Sequence, residues 1–420
     1  MADSALPPAD SLLKHPAFVQ FWFARIASSF GFQMLSVAVG WQIYEVTGRA
    51  FDLGLIGLAQ FVPSFLLALP AGHVADQFER RKIVRYGLTI ELIAIAVLAT
   101  LSLLHAVHEA GILALVFLIG IAKAFEFPAL QSMLPALVPA PILPRAMAAS
   151  SSAGQAATIL GPALGGLLYV AGPGAVYALA GVLYVVAVSM LALLRYEQAP
   201  PRREPATLHT VFAGVHFIRH RPDVLGVISL DLFAVLLGGA TALLPIFAKD
   251  ILHTGPWGMG LLRAAPAAGA LLMSIWLARH SMQRHVGITM FAAVAGFGVA
   301  TLVFAVSKVL WLSLAALFAL GAFDMVSVVI RGSLVQLDTP DEMRGRVAAV
   351  NAIFVNTSNQ LGEFESGMLA AWIGAVNATL IGGIGTLAVV GIWMFLFPTL
   401  RRRQRLQSAP EQAQVAEGTL

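Results

Sequence analysis

Long apolar runs separated by short polar joints make up most of the chain. Each run is about long enough to cross some 30 Å of hydrocarbon. The pattern predicts twelve helices, numbered 1 to 12 in chain order, at 19–45, 53–75, 82–105, 110–133, 146–170, 174–195, 223–248, 257–279, 285–307, 309–335, 346–371 and 374–398. The joints near Ser307 and Ile373 are tight. One long polar interruption, 196–222, reads YEQAPPRREPATLHTVFAGVHFIRHRP and divides the helices six and six. The predicted organisation is a segment 1–18, a six-helix bundle 19–195, a loop 196–222, a second bundle 223–398 and a tail 399–420. The first segment has no apolar core ahead of a small-residue cleavage site, so it lacks the form of a signal peptide. The tail reads as basic and then disordered.

Composition agrees with a membrane protein. The chain is 58% hydrophobic and 11% charged, with a mean hydropathy of +0.82, against about 25% charged for a soluble domain. No cysteine is present, which excludes disulfides and thiolate metal sites. The net charge of +4 does not point to nucleic acid, because the basic residues are dispersed at helix ends. No spacing suggests a metal site, a nucleophile triad or a phosphate loop, and glycine runs such as GFGVAT lie inside predicted helices. The expectation is a protein that is not an enzyme and has no cofactor.

Lysine and arginine placement predicts orientation. Nineteen of the 26 fall at one set of helix ends; three, Arg49, Lys249 and Lys308, fall at the other. The remaining four, Arg25, Lys123, Arg263 and Arg331, lie within helices. The split predicts that both termini and the 196–222 loop are cytoplasmic.

The two halves also repeat. An offset of 201 superposes Gly120 on Gly321, Ser132 on Ser333, Pro139 on Pro340, Arg145 on Arg346, Gly161 on Gly362 and Gly166 on Gly367. An offset of 203 superposes Gly57 on Gly260, Pro63 on Pro266 and Arg81 on Arg284. Two like halves with a site near the midplane is an architecture of secondary transporters.

Between helices 2 and 3 the chain reads GHVADQFERRK. Gly72, Asp76, Arg80 and Arg81 match the cytoplasmic signature of the major facilitator superfamily, which the chain resembles. An acid–base cluster at a tight turn can lock two helix ends together. The equivalent loop of the second half, ARHSMQRHV, keeps Arg284 but has Arg279 in place of the acid. Helix 5 reads GQAATILGPALGG. Gly154, Gly161, Pro162, Gly165 and Gly166 resemble the antiporter signature of drug-exporting facilitators, where small residues let helices approach closely and proline softens the helix. The aligned second-half stretch, LGEFESG, carries Glu363 and Glu365. With SLDLFAVLLGGATALLPIFAKDIL in helix 7, it resembles the enterobactin-exporter-like branch, near the macrolide-efflux-like transporters.

The resemblance covers about Phe18 to Phe397. It implies an all-α integral membrane protein of twelve transmembrane helices in two pseudo-symmetric six-helix bundles. It further implies a monomeric, proton-driven exporter of small amphiphilic molecules, siderophore or drug-like, in the bacterial inner membrane. The partners expected are a small-molecule substrate, protons and the lipid bilayer, with the proton gradient as energy source. A metabolite importer and a non-cycling receptor or scaffold are the competing functions.

Ionisable residues inside membrane helices are functional candidates. Lys123 in helix 4 meets Asp324 in helix 10 under the 201 offset, and in the superfamily these helices line opposite cavity walls. Arg25 in helix 1 and Asp231 in helix 7 form a second such couple. Glu126 follows Lys123 by three residues on the same face, so the two can equally neutralise each other within one helix. Arg331 follows Asp324 by seven, and can pair or snorkel to the surface. Helix 1 adds a polar stripe through Arg25, Ser29, Gln33 and Ser36. Arg263 aligns with Gln60 as a cavity residue or a carboxylate partner. Glu91 lies on helix 3, which is peripheral in such folds, and reads as structural. Asp231, Asp324, Glu126, Glu363 and Glu365 are the candidate proton carriers.

Overall fold

The computed structural model describes residues 12–194, 208–280 and 284–406. Among these residues every regular element is a helix. α1 is Pro16–Thr47. α2 is Ala50–Leu66, continued after a break at Leu67 by Ala68–Gln77. α3 (Arg80–Leu103), α4 (Glu109–Met133), α5 (Leu143–Tyr169) and α6 (Pro173–Leu193) complete the first six. α7 begins as Pro222–Leu237, breaks at Gly238–Gly239, and resumes through Ala240–Leu243 and Leu244–Ile246 to a π turn at Phe247–Ile251. α8 (Gly255–Arg279), α9 (Val286–Val306), α10 (Leu310–Leu337), α11 (Asp341–Ile373) and α12 (Ala375–Leu396) follow.

Eight of these, α3, α4, α6, α7, α8, α9, α10 and α12, are long and apolar enough to cross a membrane. The Ala50–Leu66 part of α2 is apolar but shorter. α1, α5 and α11 are long but carry polar stripes, Arg25 and Gln33 in α1, Ser150–Ser152 in α5, and Asn356–Gln360 with Glu363 and Glu365 in α11. A striped helix places its polar side against protein or water, because lipid cannot satisfy it.

Two compact units result. One holds α1 as far as Val39 and the chain from Val62 through α6; the other holds Gly40–Phe61 and the chain from α7 onward. In the first, α3 packs along both α4 and α6. Ala94, Ile95, Leu98, Ile112, Tyr177 and Tyr184 are buried there. The second has a core of Val227, Leu230, Met290, Phe291, Ile330 and Val389, contributed by α7, α9, α10 and α12.

Two stretches read as irregular are in fact ordered. A helix at Leu208–Arg219 lies within the predicted loop and packs along α11. The start of the predicted disordered tail folds into Pro398–Arg402. Arg403 then clamps Asp338 through two hydrogen bonds of 2.7 Å and reaches Asp223 at 3.2 Å. A planar guanidinium on a carboxylate makes a fork of this kind, which ties the end of α10 to the start of α7.

The repeat is visible in the turns. Gly172 (φ +101°) precedes α6 and Gly374 (φ +84°) precedes α12. An L side chain is strained in that region, and glycine is not.

Close helix approach sets the seat of α5 on α1. A Cβ at Gly165 would lie 2.9 Å from the Met34 Cα, and one at Gly161 would lie 2.6 Å from the Gln33 Cβ. At Gly154 nothing lies within 4 Å. Gly165→Ala should therefore destabilise the protein by about 1–3 kcal/mol through overpacking, and Gly165→Leu by more. Gly154→Ala should be neutral or gain up to ~1 kcal/mol in helix propensity. Thermal unfolding of the detergent-purified variants checks this; equal effects at the two sites would remove close packing as the explanation.

Candidate functional site

The first unit holds a buried charge cluster between α3, α4 and α6. Gly87 of α3 makes room for it: a Cβ there would sit 3.3 Å from the Glu126 Cβ. Lys123 Nζ donates to Glu126 Oε2 at 3.0 Å and pairs with Glu91 Oε2 at 3.2 Å. The Tyr184 hydroxyl donates to the same Glu91 oxygen. Glu91 is 0% exposed and Glu126 3%. The Lys123 side chain retains 28% exposure, and its ammonium lies 5.1 Å from the centroid of the Phe32 ring of α1, a cation–π distance. Lys123 thus takes its partners within its own unit, one on α4 and one on α3. Glu91, read from the sequence as structural, is a direct partner of the central cation. Its signal in the sequence was the bare fact of an acid in an apolar helix.

The second unit holds another cluster. Arg331 of α10 pairs with Asp231 of α7, and each is only 6% exposed. Arg331 thus pairs within the second unit rather than snorkelling to the surface; Arg25 is half-buried on α1 in the first unit. Asp324, two turns before Arg331, lines a small cavity of about 10 Å³, room for roughly one water, with Asp231, Ala234, Phe297, Phe323 and Ser327.

Asp231 lies in the regular first part of α7, about two turns before the break. The Ala234 carbonyl accepts from the Gly238 N–H at 3.0 Å and from the Thr386 hydroxyl of α12 at 3.2 Å. Beyond the break, the π turn aims Asp250 at the Tyr44 hydroxyl, which donates to it. Lys249 lies 5.4 Å from the centroid of the same ring. Broken helices and π turns recur at functional sites because they redirect side chains.

On α11, Glu363 lies against α2. A Cβ at Gly57 would come 3.2 Å from Glu363 Oε2. Glu365 accepts from the Ser366 hydroxyl at 3.5 Å, the long limit of a hydrogen bond. The second-half glycines still serve packing: a Cβ at Gly362 would meet the Leu236 carbonyl at 2.8 Å, and one at Gly54 would meet the Gly367 Cα at 3.1 Å.

The loop signature resolves into helix capping. Arg80 donates to the Ser132 carbonyl at the end of α4 (3.1 Å) and to the Ala75 carbonyl near the end of α2 (3.4 Å). Arg81 donates to the Leu194 carbonyl after α6 and to Glu79 at 2.9 Å. Cations at helix C-termini meet unsatisfied carbonyls and the negative end of the helix dipole. The hydrogen bond from Lys82, aided by Arg81, holds the Glu79 carboxyl below its usual range. The Asp76 side chain lies outside the described residues. A Cβ at Gly72 would meet nothing within 4 Å, so packing does not demand glycine there. In the antiporter signature, Gln33 of α1 donates to the Thr158 hydroxyl of α5 at 3.2 Å, beside Gly161; Pro162 and Gly166 are buried.

Comparison with known proteins agrees with this architecture. The family described as transmembrane secretion effector matches residues 7–417. The chain is 28% identical over 414 residues to the enterobactin exporter EntS of Citrobacter koseri, covering 96% of this chain and 97% of the relative. It is 27% identical over 419 residues to the enterobactin exporter EntS of Escherichia coli O157:H7, covering 97% and 98%. Among solved structures, a mutant of the nucleoside transporter NupG superposes with a TM-score of 0.71 at 13% identity, over 91% of this chain and 100% of that one. A bacterial homologue of the iron transporter ferroportin superposes with a TM-score of 0.66 at 17% identity, over 94% and 100%. At these identities the structures speak for the fold alone. The chain belongs to the transmembrane secretion effector family of the major facilitator superfamily and is a multi-pass membrane transporter rather than an enzyme.

Proposed function

We propose that the protein exports a siderophore or a similar small amphiphile from the cytoplasm across the bacterial inner membrane. Protons entering down their gradient drive the cycle by alternating access. The observation that carries the reading is similarity to the enterobactin exporters along nearly the whole chain. Proton antiport is supported by buried carboxylates beside cations in both units, Glu91 and Glu126 with Lys123, and Asp231 with Arg331. A carboxylate whose cationic partner moves away gains affinity for a proton, so pairs that break between conformations can couple proton binding to transport. Asp324, with Phe297 and Phe323 beside it, is a further candidate for proton or substrate contact. Glu363 and Glu365 on a polar helix, and Arg263, are further proton or substrate positions. The lysine and arginine bias supports a cytoplasmic location for both termini.

The test is secretion. Expressed in a strain lacking its own siderophore exporter, the protein should restore siderophore in the medium. Everted vesicles should accumulate the siderophore under an inward-acidic gradient and lose it on adding a protonophore. Raised macrolide tolerance without siderophore secretion would shift the substrate class to drugs.

Arg331→Met leaves the Asp231 charge without its partner. It should cost about 3–5 kcal/mol of stability and abolish export. Adding Asp231→Asn should restore much of the stability but not the export. Unfolding midpoints and vesicle uptake on the single and double variants separate the two effects; export retained by the double variant would remove this pair from the cycle.

A cysteine at His108 should react with an impermeant thiol reagent on intact cells, and one at His220 only after permeabilisation. The chain has no cysteine of its own, so it contributes no background. The opposite pattern would invert the orientation.

A further inference from the structure

The cluster around Lys123 holds two carboxyl groups and one cation. Lys123 Nζ faces Oε2 of both Glu91 and Glu126. The shared ammonium, 3.2 Å from Glu91 Oε2 and 3.0 Å from Glu126 Oε2, draws the two carboxyl groups together from α3 and α4. Ionised carboxylates only accept hydrogen bonds. Two of them side by side repel, and a hydrogen bond between them requires a proton on one. Glu91 Oε1 is buried with no donor from the protein, so an added proton has an oxygen to occupy. The titratable groups facing Glu91 are Lys123 and Glu126 from α4 and Tyr184 from α6. From α1 the cluster meets the uncharged ring of Phe32. With both carboxyls ionised the site carries one net negative charge in a place where Glu91 has no exposure to water. With one proton it is neutral.

We infer that Glu91 and Glu126 form a shared-proton carboxyl pair, completed by Lys123 and Tyr184, that binds and releases one proton within the first unit. Loading forms an O–H bond on one carboxyl oxygen, which donates to the other carboxyl. Unloading returns that proton to water, and no other bond changes. Lys123 is the partly exposed member, so proton exchange follows its side. Movement of Lys123 away from the pair would raise its hold on the proton, and its return would lower it. The use of the site as the coupling site rests on the proton-antiport reading; its existence does not.

The test is infrared spectroscopy of purified full-length protein at neutral pH, which reads the C=O band of protonated carboxyls and needs no substrate. Wild type should show a band that Glu91→Gln and Glu126→Gln each remove, since one carboxylate beside Lys123 is already neutral. Lys123→Met should roughly double the band, because both carboxyls then need a proton. Each glutamine variant preserves the side-chain shape, and its elution and unfolding midpoint report its fold. If a glutamine variant fails to fold, the Lys123→Met comparison decides alone. A band that survives either glutamine change, or is unchanged in Lys123→Met, would overturn the shared proton. In vesicles, Glu91→Gln should retain substrate exchange across the membrane and lose at least tenfold in gradient-driven accumulation. If wild-type protein moves no siderophore while the infrared pattern holds, the transport reading fails and the proton site stands.

Discussion

Charge inside a membrane helix must be answered by charge on a neighbouring helix, and much of this structure follows from that demand. A lone lysine at mid-membrane costs about 2.5–3.5 kcal/mol on insertion scales. Lys123 meets the cost with two carboxylates, one from its own helix and one from α3. Arg331 meets it with Asp231, one hundred residues earlier. Each pairing fixes the register of two helices, because a shift of one turn, about 5.4 Å, would strand both charges. A sliding apolar interface sets no such penalty.

Bringing such partners together requires backbones close enough for short acids to reach. Small residues supply the distance. Gly87 lets Glu126 lie against α3, Gly57 makes room beside Glu363, and Gly161 and Gly165 seat α5 on α1. The breaks act in the same way. α7 gives up regular hydrogen bonding at Gly238–Gly239, and Thr386 of α12 donates to the Ala234 carbonyl beside the break. Arg80 and Arg81 do the equivalent work at the ends of α2, α4 and α6. Such partners matter near the membrane because lipid supplies none.

The helices, the repeat and the set of intramembrane charges were legible in the sequence, because length, apolarity and offset are properties of one chain read along itself. The partners were not. Spacing tells which residues share a face, as Lys123 and Glu126 do, but not which helix that face meets. Glu91 therefore read as peripheral, and spacing alone did not show that Arg331 and Asp231 meet within the second unit. The polar interruption hid the Leu208–Arg219 helix because its apolar face, like Ile218, finds a partner only in the folded second unit. The tail hid Arg403 for a similar reason: its order comes from Asp338 and Asp223, far away in sequence.

The two clusters share an inventory that the repeat alone does not explain. Each combines one cation with two acids, Lys123 with Glu91 and Glu126, and Arg331 with Asp231 and Asp324 nearby. The 201 offset puts Lys123 on Asp324, so the halves have exchanged the sign of charge at one position while keeping the total. Their surroundings differ. In the first unit both acids are sealed against the cation. In the second, Asp231 takes the cation, and both it and Asp324 border one small cavity. The same inventory therefore leaves the first unit with two acids on one cation and the second with one acid in the ion pair and one outside it.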